Sequence, residues 1–247
     1  MMLSIDKKCS IFRTKSNAMK KFTIIFFLIL IGDLVARAMQ PDWQIAEYIF
    51  KPLLMISLGG YFIKSTILRL RPDSSMRVVR QNQFVLVAII FSLFGDVFLM
   101  FEGYFIQGLA AFLVAHIFYI LAFRSEISRF FSKKELFLPA VLVIIYGAIL
   151  LGIVLPNVDS ALKIPIIVYS LTILTMLMMT LHRFGKVRTD SFWFVAIGAT
   201  LFVLSDSMIA VSKFVTDFSF AGLLIMLTYG IGQYLIVVGY LKNKESV

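Results

Sequence analysis

The chain has 247 residues, 60% of them hydrophobic, and a formal net charge of +10. Its mean hydropathy of +0.92 excludes the soluble globular class, whose composition lies nearer half apolar. The charge does not indicate nucleic-acid binding, because the basic residues sit between apolar blocks instead of clustering on one face. The single cysteine, Cys9, precludes an internal disulfide. His116 and His182 have no Cys or His near enough for a familiar zinc pattern, which disfavours metal catalysis, although carboxylates could still recruit an ion; no cofactor is expected.

Taken in order, the apolar blocks predict an all-α, polytopic membrane protein built as an eight-helix bundle. The spans are 22–39, 49–68, 84–101, 104–123, 137–155, 162–181, 192–212 and 218–241. A basic tail, 1–21, precedes this transmembrane domain, 22–241, and a short tail, 242–247, follows it. Pro41, Pro72, Pro156 and Gly185 mark the short connections.

Most of the 24 Lys and Arg fall on one side. The first tail holds Lys7, Lys8, Arg13, Lys15, Lys20 and Lys21. Alternate connections add Lys64, Arg69, Arg71, Arg77 and Arg80, then Arg124, Arg129, Lys133 and Lys134, then Arg183, Lys186 and Arg188. Lys242 and Lys244 complete the set, while the opposite connections carry Asp42, Glu47, Glu102, Asp159 and Asp217. The positive-inside rule then puts both termini in the cytoplasm, with a bacterial inner membrane as the expected location. The start also resembles a secretory signal ending at Ala36-Arg37-Ala38, and cleavage would leave seven spans in the same orientation. Asp33 and Arg37 at the end of the run, and its length, favour a retained helix.

Two aspartates interrupt otherwise apolar spans: Asp96 in VLVAIIFSLFGDVFLMF and Asp206 in VAIGATLFVLSDSMIAV. An intramembrane carboxylate is costly and marks function by default. Both spans run outward, so both acids lie in the outer half of the membrane. Asp33, Lys51 and Tyr169 fall at a similar level, and His116 and Gln233 deeper, so the first five are expected to meet in one outer cavity. Each has a plainer role open to it. The two acids have a lesser alternative as interhelical hydrogen-bond groups, and Lys51 has an alternative as a snorkelling cation. Asp33 has Arg37 as an i,i+4 partner, Tyr169 fits an interfacial aromatic, and His116 fits a packed helix face. Ser92 and Ser205 are expected to hydrogen-bond the acids locally. Gly95, Gly198-Ala199 and the Gly108, Ala111, Ala115 stripe allow close helix approach.

FSLFGDVFLMF, YFIQGLAAFLVAHIFYILAF and GATLFVLSDSMIAVSKF, with Lys51-Pro52-Leu53 and YGIGQYLIVVGY, resemble in order the YhhN-like lysoplasmalogenase family. The resemblance covers nearly all spans and excludes the first twenty residues. It implies an eight-helix hydrolase that cleaves the vinyl ether of a lysophospholipid to a fatty aldehyde and glycerophospho-ethanolamine or -choline. It also implies that Asp96 and Asp206 are the catalytic acids. Two carboxylates sharing one proton suit that chemistry, one as general acid and one as general base. Lys51, Tyr169, Asp33, His116, Ser92 and Ser205 are the expected substrate-binding residues. The partners expected are the lysophospholipid and the bilayer. The alternative class is a proton-coupled lipid or small-molecule transporter, since intramembrane acids also carry protons in such proteins.

Overall fold

Within a bilayer every backbone N–H and C=O needs an internal partner, which leaves helices as the natural form for these apolar blocks. The computed structural model describes residues 2–39, 42–66, 75–127 and 133–244, with side chains from residue 17 in the first helix and residue 137 in the fifth. Among these it contains eight α-helices. They are α1 (Met2–Ala38), α2 (Gln44–Ser65), α3 (Met76–Phe98), α4 (Phe105–Glu126), α5 (Lys133–Val154), α6 (Ser160–Leu181), α7 (Thr189–Phe214) and α8 (Ala221–Lys244). Six of them, α3 to α8, are long and apolar enough to cross a membrane. In α1 and α2 the apolar run is interrupted by Asp33 and Arg37 and by Lys51, yet both turn apolar side chains outward, among them Leu28 and Ile31, and Ile49 and Ile56. The protein is a multi-pass integral membrane protein.

The helices overrun the expected apolar spans chiefly at one end. There α1, α3, α5 and α7 begin early, and α4 and α8 end late. Arg69, Arg71, Arg129, Pro41 and Pro72 lie outside the described residues, as do the side chains of Cys9 and of Lys7, Lys8, Arg13, Lys15, Lys133 and Lys134. Pro156 sits in a short 3₁₀ turn after α5, and Gly185 adopts φ +67°, a left-handed conformation that glycine takes without strain.

Two helix pairs pack most closely, α7 with α8 and α3 with α4. Glycine makes both possible. A Cβ on Gly198 would lie 2.7 Å from the Gly232 carbonyl oxygen, and one on Gly232 would lie 2.9 Å from that of Gly198. Neither backbone can give way, so only hydrogen fits at this crossing. Between α3 and α4, the faces of Gly95 and Gly108 are filled by Phe112 and Leu99. By contrast α5 touches the bundle only lightly and exposes Phe137, Leu142, Ile144 and Ile149.

The end where α4 and α8 finish is closed by a buried charge network. Arg183 and Glu126 pair at 2.8 Å with both side chains fully buried. Arg183 Nη2 donates to Ser191 at 2.9 Å, and Asn243 donates to Glu126 at 2.8 Å. Lys244 approaches Glu126 at 3.4 Å and donates to Gln81, whose amide in turn donates to the Ser125 carbonyl at 2.8 Å. These bonds tie α3, α4, α7 and α8 to Arg183, two residues beyond the end of α6.

Candidate active site

At the opposite end the packing opens. A cavity of about 290 Å³ is lined by Asp96 from α3, Asp206 from α7, Lys51 from α2, Arg37 from α1, and Gly222 and Tyr229 from α8. The two aspartates that the sequence marked therefore face one space, although they stand on helices far apart in the chain. Asp96 is buried near the end of α3, and Tyr229 donates to its Oδ2 at 2.6 Å. Asp206 is half-buried and accepts a hydrogen bond from the Tyr169 hydroxyl. Each acid thus holds one phenol donor and keeps its second carboxylate oxygen available. Charge-assisted bonds of this kind are about twice as strong as neutral ones. Lys51 is the charge that acts most strongly on Asp96, and Asp206 feels the charge of Asp96 across the cavity.

Beneath Asp96 lies a second polar layer. One turn back along α3, Ser92 accepts from Gln233 at 3.0 Å, and Gln233 accepts from Tyr119 at 2.8 Å. All three are buried. Beside Asp206, Ser205 donates to the Ile225 carbonyl at 3.0 Å. Neither serine bonds an aspartate among the described residues, which corrects the expected local pairing. A neighbour on a helix is rotated about 100° from the acid, so Ser205 faces α8, while Ser92 lies one turn deeper and meets Gln233 before it can reach Asp96.

Asp33 is fully buried and does not line the cavity. It binds Arg37 at 2.7 Å, the i,i+4 pairing open to it, and Arg37 also bridges to Glu47 on α2 at 2.7 Å. Asp33 therefore reaches the cavity only through the guanidinium that it orients. His116 is fully buried, with its ring edge-on to Tyr169 at 5.4 Å and to Phe202 at 4.8 Å. Both its ring nitrogens lack a hydrogen-bond partner among the described residues. It backs Tyr169 and lies outside the cavity.

Sequence reasoning missed Tyr229, because a tyrosine inside an apolar span is unremarkable until its partner is known. Its place in the middle of the eighth expected span was the available signal. Lys213 was also missed, since a lysine at the end of a span reads as an interfacial cation; it lies at the cavity wall with its ammonium 4.6 Å over the Phe105 ring.

The model of the YhhN family matches residues 46–240. The chain is 32% identical to human "Lysoplasmalogenase TMEM86B" over 156 residues, 63% of this chain and 62% of that protein. It is 31% identical to the mouse protein of the same name over 206 residues, 83% and 78% of the two chains. It is 27% identical to "Lysoplasmalogenase" of Mycobacterium bovis over 170 residues, covering 67% and 63%. The human match thus spans less than two thirds of that relative's length. No solved structure matches the chain.

Proposed function

The chain belongs to the YhhN family, and from that premise we propose that it is a lysoplasmalogenase-type ether hydrolase acting through Asp96 and Asp206. The observation that carries this reading is the shared cavity: two carboxylates, each with one tyrosine donor, facing a space open to a substrate. The names of the human, mouse and mycobacterial relatives agree with it.

Vinyl ether hydrolysis begins with proton transfer to the carbon distal to oxygen. The oxocarbenium ion that results takes up water, loses a proton to a base, and collapses as a hemiacetal to an aldehyde and the glycerol hydroxyl. One molecule of water is consumed, and no electrons leave the system. The site must therefore donate a proton, stabilise a cation and orient water. In this reading one aspartate is protonated and donates, while the other is ionised, opposes the cation and receives the proton from water. Tyr169 and Tyr229 fix the two carboxyl groups. Lys51 steadies Asp96, and Asp33 acts through Arg37. His116 supports Tyr169 from behind, and Ser92 and Ser205 hold the α3–α8 and α7–α8 contacts that set the floor. No cofactor enters the scheme.

The same reading places both termini in the cytoplasm, beside the Lys/Arg-rich end, and the cavity in the outer half of a bacterial inner membrane. The transmembrane domain is 22–241, between the tails 1–21 and 242–247. The substrate is an alkenyl-lysophospholipid supplied by the bilayer. Aldehyde release from alkenyl-lysophosphatidylethanolamine by the purified protein in detergent tests this, alongside Asp206→Asn. Wild type should yield aldehyde and the folded variant about 10²–10⁴-fold less. Aldehyde at the wild-type rate from folded Asp206→Asn overturns the mechanism. None from folded wild type overturns the activity, and with it favours the transporter class, which needs no product.

A further inference from the structure

Beside the cavity that holds the two acids lies a second, unlike one, and Asp206 stands between them. On one side is the polar chamber with Lys51, Lys213 and Arg37. On the other is an apolar recess of about 60 Å³ among α4, α6 and α7, walled by Phe112, Ile166, Ile173, Leu174 and Val203. Asp206, Leu99, Phe105, Phe112 and Ile209 line both. A molecule that fills the two at once carries its polar-to-apolar junction past the Asp206 carboxyl.

The charges of the polar chamber say which polar group fits. Arg37 is already engaged by Asp33 and Glu47. Lys51 and Lys213 make no ion pair among the described residues. Lys213 is exposed at the wall and lies over Phe105, and Lys51 is half-buried opposite Asp96. Two ammonium groups facing one chamber, neither in a close ion pair with a carboxylate, make a site for an anion with several acceptor oxygens.

We infer that Lys51 and Lys213 bind the phosphate of the lysophospholipid, and that the recess takes the first part of its alkenyl chain. This rests on the hydrolase reading above and adds the direction in which the substrate lies. The glycerol then spans from the lysines to Asp206, so the vinyl ether is the bond at the junction. Lys213 becomes a specificity residue, because it selects substrates that carry phosphate and has no part in the chemistry.

Two substrates with the same vinyl ether and the same chain separate recognition from reaction: alkenyl-lysophosphatidylethanolamine and 1-alkenylglycerol, which has no phosphate. Aldehyde release is measured for wild type, Lys213→Ala, Lys213→Arg and Ala210→Leu, the last of which narrows the recess. Lys213→Ala should raise KM for the phospholipid about tenfold or more, leave kcat little changed, and leave alkenylglycerol turnover as in wild type. Lys213→Arg should restore most of the affinity. Ala210→Leu should lower kcat/KM for a hexadecenyl chain more than for an octenyl chain. Equal KM shifts for both substrates with Lys213→Ala, or wild-type kcat/KM for alkenylglycerol as high as for the phospholipid, overturn the inference while the hydrolase reading stands. Wild type that releases aldehyde from neither substrate overturns both.

Discussion

The two ends of the bundle treat buried charge in opposite ways. At the Arg183 end, Glu126 binds an arginine, an asparagine and a lysine. At the Asp96 end, two carboxylates have one tyrosine donor each, and the lysines beside them face an open chamber. Charge is costly inside a membrane protein, so the ion-paired groups at the Arg183 end hold the bundle, while the carboxylates and lysines that face open space at the Asp96 end are the ones placed to act on a ligand.

That contrast breaks first if Asp96→Asn leaves turnover intact. Tyr229 would still find an acceptor, so folding should be preserved while aldehyde release falls by about 10²–10⁴-fold. Arg183→Ala should do the reverse. It leaves Glu126 Oε2 without its partner while Asn243 and Lys244 remain on Oε1, and should cost about 1–3 kcal/mol of stability, read as a lower melting temperature in detergent, with activity per folded molecule unchanged. Replacing both members, as Arg183→Met with Glu126→Leu, should recover much of that loss. Tyr169→Phe should give a smaller effect, a roughly tenfold to hundredfold fall in kcat at near-normal stability, because one charge-assisted bond is lost and the carboxylate stays. The smallest effect belongs to His116→Phe. It removes two unpartnered nitrogens and keeps the ring against Tyr169 and Phe202, so the melting temperature should hold or rise and turnover should change less than threefold or so. A large loss there would move His116 into the chemistry.

The acids were legible in the sequence because a carboxylate in an apolar run is visible in one dimension, and charge asymmetry turned position into depth. Their level in the membrane predicted that Lys51 and Tyr169 would lie near them, and both do. The rotation of each helix was not legible. Depth does not say which face a residue occupies, so Ser92 and Ser205 were assigned to the acids when their faces turn to Gln233 and Ile225. For the same reason Asp33 was placed in the cavity, which it meets only through Arg37. Tyr229 was hidden because its hydroxyl gains meaning only from Asp96 on another helix. The Arg183–Glu126 pair was hidden because both residues stand at helix ends, where charge reads as ordinary loop polarity.

The glycine crossing of α7 and α8 also acts as a gauge. Asp206 rides on α7, and Asp96 is held by Tyr229 on α8, so the gap between the carboxyl groups depends on how near those two backbones lie. At Gly198 and Gly232 that nearness is set by contact of main chain with main chain. A single methyl group at Gly198 would prise the helices apart and lengthen the reach of a proton between the acids. Catalytic rate in this protein should therefore be sensitive to a residue that has no side chain and lies two turns from the nearer acid.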